Sequence, residues 1–347
     1  MDPGIMGNPI TVILPVYNTG DFLPRCLDSL LGQTFRDFDV FCVDDGSTDG
    51  SGKILDEYSE KDSRIKVVHL QKNHGVPYGR NLALDSVSGS EYVYFMDSDD
   101  WIDPDYLEAM YAAALRTGQD VVINANWYTE YDNPPRSVPS GRYGFINERP
   151  GYYSPLLIQK YFFPVVWTRL YRLKYLNDNN LRSPLLKGGV EDNYFTALAE
   201  ILQERSYIFC GPFYHYWQRP GSLVTQPGAG FRHFENFRVF VDEIRSRGLP
   251  PGSARLFYVL KKLVIEDESQ FEFIHAFFKD VEEEVRAFPK HYDSLDVFCM
   301  LSVLSCDSYQ EWLAKYSPSV YLNFLRIMKA LGDYPSTEAM LRGEQPV

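Results

Sequence analysis

The chain has no run of about 18 consecutive apolar residues, the length that a membrane-spanning helix needs. Its opening stretch, Met1 to Asn8, lacks the basic segment and apolar core of a secretory signal. The five cysteines (Cys26, Cys42, Cys210, Cys299, Cys306) form no Cys-x-x-Cys pair and no metal-ligand spacing. They are therefore expected as buried free thiols in a reducing compartment. Basic residues are in deficit, 34 Lys and Arg against 47 Asp and Glu, a formal net charge of −13. That balance argues against a partner that is nucleic acid, which requires a Lys/Arg footprint, and against broad adhesion to anionic membranes. No Gly-x-Gly-x-x-Gly follows the first apolar run, which removes the fingerprint of a dinucleotide-dependent dehydrogenase. No internal repeat or low-complexity tract occurs. The expectation is a cytoplasmic globular enzyme.

What is present is an alternation of strand and helix patterns. The apolar run Ile10 to Leu14, ended by Pro15, has the pattern of a buried strand. Phe38 to Val43, Ile65 to Leu70, Glu91 to Met96 and Asp120 to Ala125 repeat it. Between them, Asp21 to Leu31, the stretch after Asp49, Gly75 to Val87 and Tyr106 to Arg116 carry helical spacing. Such alternation predicts a three-layer α/β fold, a mostly parallel sheet with helices on both faces. Residues 127–151 break into loops and short antiparallel strands, and residues 152–181 are expected to be helical in parts. A change of character after Pro227-Gly228-Ala229-Gly230 marks a boundary, beyond which helical patterns follow one another. One such pattern is Phe271, Ile274, Phe277 and Phe278. The expected units are residues 1–125, 126–230 and a helical C-terminal region, 231–347.

In parallel sheets ligands sit beyond the carboxyl ends of the strands. After the second strand comes Asp44-Asp45-Gly46-Ser47-Thr48-Asp49, and after the fourth Asp97-Ser98-Asp99-Asp100. Carboxylates so close together are unfavourable unless a cation, hydrogen bonds or protonation offset them. Strand-end carboxylates suit a hard divalent ion, Mg²⁺ or Mn²⁺, that also binds phosphate oxygens. Each cluster alone has a bland explanation, a turn at Asp45-Gly46 or a helix cap at Ser47 or Thr48. Their joint placement favours chemistry.

These residues carry a resemblance. Pro15-Val16-Tyr17-Asn18, Gln33-Thr34, Asp44 to Asp49, Gly79-Arg80-Asn81 and Phe95 to Asp100, in that order, resemble the inverting, bacterial-type family 2 glycosyltransferases of GT-A fold. The match covers residues 9–125, with weaker echoes to 225. Gly79 departs from the alanine common in that family. The resemblance implies a nucleotide-sugar donor, UDP by preference, and a glycan or lipid-linked acceptor. It places Pro15, Val16 and Tyr17 around the nucleobase and has Asp45 accept from the base. Arg80 falls near base and phosphates, Asp97 and Ser98 in the donor-binding motif, with Asp97 on the ribose, and Asp99 on the metal.

A base is also needed, because the acceptor hydroxyl loses its proton as it attacks. Glu191-Asp192, after a glycine-rich approach and before the apolar positions Phe195, Leu198 and Ile201, could serve or could cap a helix. The resemblance selects Asp192. Arg219 and Ser222, after His215-Tyr216-Trp217-Gln218, are chemically suited to phosphate. Trp167 is expected to fill the core, and His215 to be packed rather than a metal ligand. The helical tail leaves acceptor, peripheral association with the inner face of a membrane, and a second copy of the chain all open. Two rivals stand: a non-catalytic nucleotide-sugar-binding protein, and an Asp-x-Asp phosphotransferase with Asp97 as nucleophile. The second leaves the Asp44 to Asp49 cluster unexplained.

Overall fold

The computed structural model describes residues 7–132, 134–139, 150–155, 158, 164–186, 191–218, 239–240, 242–249, 265, 267–287 and 300–315. The chain divides into two compact units, Met1–Ser222 and Leu223–Val347.

The first unit is built on an eight-stranded sheet. Its strands are β1 (Ile10–Val16), β2 (Phe38–Asp44), β3 (Ile65–His69), β4 (Tyr92–Phe95), β6 (Val121–Asn124), β9 (Gly151–Tyr153), β10 (Arg169–Arg172) and β11 (Ser206–Phe209), in the order β3-β2-β1-β4-β10-β6-β11-β9. Pairings within β3-β2-β1-β4 are parallel; β10 runs antiparallel to both β4 and β6, and β9 antiparallel to β11. β1 and β2 are buried along their full length, as continuous apolar runs in a parallel sheet require. The helices α1 (Leu23–Leu31), α2 (Ser51–Lys61), α3 (Val76–Ser86) and α4 (Tyr106–Thr117) alternate with the first strands. A second sheet, β5-β12-β7-β8, joins β5 (Trp101–Ile102), β7 (Trp127–Asp132), β8 (Pro135–Pro139) and β12 (Tyr214–Trp217).

The span 152–181 is helical in parts, as expected: among the described residues Pro155, Ile158 and α5 (Leu173–Asp178) are helical, while Val166–Thr168 forms one 3-10 turn and Arg169–Arg172 the central strand β10. Periodicity cannot separate a short buried strand from a short buried helix, so the four residues of β10 do not stand out from the helical parts around them. Burying Leu170 and Tyr171 between β4 and β6 decides the matter.

Gly79, the departure from the family pattern, lies in α3. A methyl group there would touch Val43 and Pro15 at 3.5 and 3.6 Å, ordinary packing distances. Gly79→Ala is therefore expected to stabilise the protein by about 0.5–1 kcal/mol, since glycine carries that entropic penalty in a helix. A raised thermal midpoint in circular dichroism checks it. Gly46 is the opposite case. Its φ is +73° and a Cβ would lie 2.8 Å from the Lys72 backbone, so only glycine fits.

In the second unit α7 (Glu268–Ala287) buries Phe271, Ile274, Phe277 and Phe278, the stripe expected from the sequence. The short α8 (Tyr309–Lys315) is tied to α7 where the Tyr309 amide donates to Glu268 Oε1 at 3.0 Å. Among the described residues no helix is long and apolar enough to cross a membrane.

Candidate active site

The sheet order puts β1 between β2 and β4, so the residues following all three share one edge. Past β1 the chain turns sharply: Asn18 adopts φ +50°, which asparagine tolerates, and its side-chain oxygen accepts from the Thr48 amide at 2.8 Å. Pro15 and Val16 are buried at the strand end, whereas Tyr17 is 43% exposed. Thr19 binds both neighbouring loops, its amide donating to Ser51 Oγ at 3.1 Å and its hydroxyl sharing a 3.0 Å bond with Ser98.

The carboxylates of the first cluster divide by role. Asp44 accepts from the Ser47 amide at 3.0 Å and bonds His69 Nδ1 at 2.8 Å, while His69 Nε2 reaches Asp56 at 3.0 Å. Partial burial opposes protonation of His69, but the two carboxylates outweigh it and raise its pKa. Asp49 ties Gly20 to the start of α2, accepting from the Gly20 amide at 2.8 Å and from the Ser51 amide and hydroxyl at 3.0 and 2.6 Å. Asp45, buried, accepts from the His74 and Gly75 amides at 2.8 and 2.7 Å and so fixes the loop that starts α3. A carboxylate has about four lone-pair sites, so Asp45 keeps accepting capacity for a ligand.

The second cluster divides too. Asp100 is fully buried, accepting from Tyr214 Oη at 2.5 Å and from the Trp217 amide at 2.7 Å; it ties the acidic loop to β12. The Asp99 carbonyl accepts from Arg25 Nη2 at 3.2 Å, and the Arg25 guanidinium lies 3.6 Å over the Trp101 ring and 4.8 Å over Trp217. Burial pushes the Asp100 carboxyl well up, and Asp99 and Asp97 add to the rise.

Asp97 meets Arg80, a buried side chain of α3, whose Nη2 donates to Asp97 Oδ1 at 3.0 Å. The other arm of the same guanidinium donates to Asp192 Oδ1, with Glu191 at 3.8 Å. Asp192 lies in the first turn of α6 (Glu191–Ile201), and its second oxygen accepts from the Val166 amide at 3.4 Å. Packing explains why this turn arrives there. Phe195, one helical turn on, meets Phe95 of β4 and Tyr171 of β10 edge-on at 5.5 and 5.4 Å. Further along, Glu200 takes both Nε and Nη2 of buried Arg169 at 2.8 and 2.6 Å. Burial, with Asp192 and Asp99 adding, lifts Asp97 to about 6 against the pull of Arg80. Burial and Asp192 lift Glu191 to about 7.

The structure thus joins Arg80, Asp97 and Asp192, which the sequence separates by up to 112 residues. Arg219 and Ser222 lie outside the described residues. Trp167 is buried and stacks on Tyr214 at 4.2 Å, as a core residue does. His215 stacks on Trp101 and bonds Glu130 at 2.7 Å and Asp103 at 3.1 Å. Asp103 also accepts from the Phe213 amide at 2.7 Å and so holds the start of β12. Arg25, Thr19 and Tyr214 carry no local motif, so sequence reasoning passed over them.

Residues 11–178 match the family model described as glycosyl transferase family 2. The segment 11–178 belongs to the family 2 glycosyltransferases. It is 33% identical over 227 residues to the glycosyltransferase GlyA of Streptococcus pneumoniae serotype 4, covering 63% of this chain and 32% of that protein. To the putative glycosyltransferase EpsH of Bacillus subtilis it is 33% identical over 223 residues, 62% of this chain and 63% of EpsH. The poly(ribitol-phosphate) beta-N-acetylglucosaminyltransferase TarS of Staphylococcus aureus is 31% identical over 209 residues, 59% of this chain and 35% of TarS. The crystal structure of TarS residues 1–349 superposes with a TM-score of 0.66 at 25% identity, covering 85% of this chain and 87% of that one. The fold is GT-A, mixed α/β around a large, mostly parallel sheet. The chain spans about a third to two thirds of the length of these curated relatives.

Proposed function

We propose that this chain transfers a sugar from a nucleotide sugar, UDP-linked by preference, to an acceptor hydroxyl with inversion at the anomeric carbon, in the synthesis of a glycan or polysaccharide. The observation that carries the reading is the Arg80 guanidinium, which links Asp97, on the donor side of the sheet edge, to Asp192 at the start of α6. The TarS name, an N-acetylglucosaminyltransferase, supports a nucleotide-sugar donor.

In this reading Pro15, Val16 and Tyr17 form the nucleobase wall, and exposed Tyr17 supplies the stacking face. Asp45 fixes the 74–75 loop beside the base and accepts a base N–H through a remaining lone pair. Asp97 and Ser98 face the ribose and diphosphate, and Arg219 and Ser222 are the side chains proposed to bind phosphate. Asp192 takes the proton of the acceptor hydroxyl as the new bond to the anomeric carbon forms and the bond to the diphosphate breaks. Residues 126–230 carry the acceptor side and 231–347 a helical region, in a protein that works in the cytoplasm or at the inner face of the membrane.

The acidic loop fits a hard divalent cation. Burial first, and then the crowding of Asp97, Asp99 and Asp100, pushes Asp97 and Asp100 upward, Asp97 against the pull of Arg80, and the donor set is oxygen throughout. Among the described residues no group of three or more His, Cys, Asp or Glu could by itself hold a metal ion. Asp99 is the proposed protein ligand of Mg²⁺ or Mn²⁺. Bound there, the ion would neutralise charge on the departing diphosphate.

The test is thermal unfolding with UDP. At UDP about 100-fold above Kd the native state gains about 2.7 kcal/mol, so the midpoint is expected to rise by several degrees with Mn²⁺ or Mg²⁺ and not without. Slow hydrolysis of a UDP sugar separates an enzyme from a mere binder. No shift with any nucleotide and either ion would remove the donor site.

A further inference from the structure

Among the described residues, Arg80 is the cation that faces three carboxylates from two separate segments. Asp97 follows β4, and Glu191 and Asp192 open α6, while the Phe95 ring lies 6.0 Å from the guanidinium. Tyr171 of β10, with its hydroxyl buried, packs against α6 beside this pair, and Tyr175 and Arg169 meet the helix further along, at Ala199 and Glu200. Arg80 is only 2% exposed, so its aim is set by its helix rather than by solvent. That helix is set in turn by Asp45, whose carboxylate holds the His74 and Gly75 amides just before it. A continuous run of contacts therefore leads from Asp45, beside the nucleobase, through α3 and Arg80 to Asp192.

We propose that Arg80 is the positioning residue of Asp192, its guanidinium forking between the donor side at Asp97 and the acceptor side at Asp192 so that the nucleotide site and the proton acceptor are held in register. This rests on the reading of Asp192 given above. A planar, two-armed donor suits the task where a lysine would not, because both arms must be satisfied at once and in fixed directions. The diphosphate needs other contacts, since both of these arms are already engaged by carboxylates.

Arg80→Lys keeps the charge and loses the fork. The expected result is a fall in kcat of about 100-fold, the scale of a small misplacement of a reacting group, with donor Kd within threefold of wild type. The cycle with Asp192→Asn is expected to be non-additive: once Asp192 cannot act, Arg80→Lys should cost less than threefold more, as for residues that act as a unit. A donor Kd weakened tenfold or more with kcat kept would make Arg80 a phosphate ligand and overturn the proposal. So would a full additive loss in the double variant. If Asp192→Asn alone proves fully active, the base assignment fails instead, which the single variant reveals before the cycle is built. A crystal structure of the wild-type protein with UDP and Mn²⁺ tests the same point without any variant. Arg80 still bridging Asp97 and Asp192 supports the proposal; Arg80 withdrawn from Asp192 onto the diphosphate refutes it.

Discussion

Replacing Asp192 by Asn is expected to lower kcat by about 10²–10⁴-fold, the usual worth of a positioned general base, while donor Kd stays within threefold. The substitution keeps the shape and leaves an amide oxygen that can still accept from Arg80. It removes the basicity that takes the hydroxyl proton. The stability cost is confined to a weakened pairing with buried Arg80, which keeps Asp97 and Glu191 as charged partners. The placement of α6 rests on Phe195 against Phe95 and Tyr171 and on Glu200 against Arg169. Initial rates with saturating donor, together with nucleotide titration by calorimetry, separate the two quantities. Turnover within threefold of wild type would remove Asp192 from the chemistry.

The second large effect is expected at the acidic loop. Asp99→Ala should weaken metal-dependent donor binding by at least about 100-fold, since losing even an outer partner of a metal ligand costs 10- to 100-fold. Binding in the absence of divalent ion should be unchanged. The loop itself should survive, for its anchors are other groups. Arg25 holds the Asp99 carbonyl, which alanine retains; Ser98 bonds Thr19; Asp100 takes Tyr214 and Trp217. Calorimetric titration of UDP with and without Mn²⁺ measures the difference. Equal stimulation by the ion in both proteins would refute Asp99 as its ligand.

The two results fail independently. A lost metal response with intact proton transfer, or the reverse, would assign the donor and acceptor sides of the site separately. Arg80 is where they meet, so its variants should disturb the relation between the sides rather than either one alone.

Much of this architecture is legible along the chain. The strand-helix alternation from Ile10 to Asn124 appears in the structure with boundaries shifted by one or two residues, because continuous apolar runs and helical stripes are set by local composition. The carboxylate clusters after β2 and β4 follow from the same reading, since a strand end in a parallel sheet is a known place for ligands. Less legible was β10, whose four residues are too few for periodicity to speak and whose extended form depends on partners 76 or more residues away in β4 and 46 or more away in β6. The carboxylates also looked alike. Asp44, Asp45, Asp49 and Asp100 all turn to amides, hydroxyls or an imidazole of the protein, a division that no spacing rule separates.

By itself the sequence determined the alternating fold, the family and the acidic character of the sheet edge, because these depend on residue type at short range. Only the tertiary structure decided that one buried arginine would face both Asp97 and Asp192, and that Asp100 would turn inward to Tyr214. A buried charge must find its partners wherever packing brings them, and aromatic contacts between Phe95, Tyr171 and Phe195 bring α6 to the end of β4 from a hundred residues away.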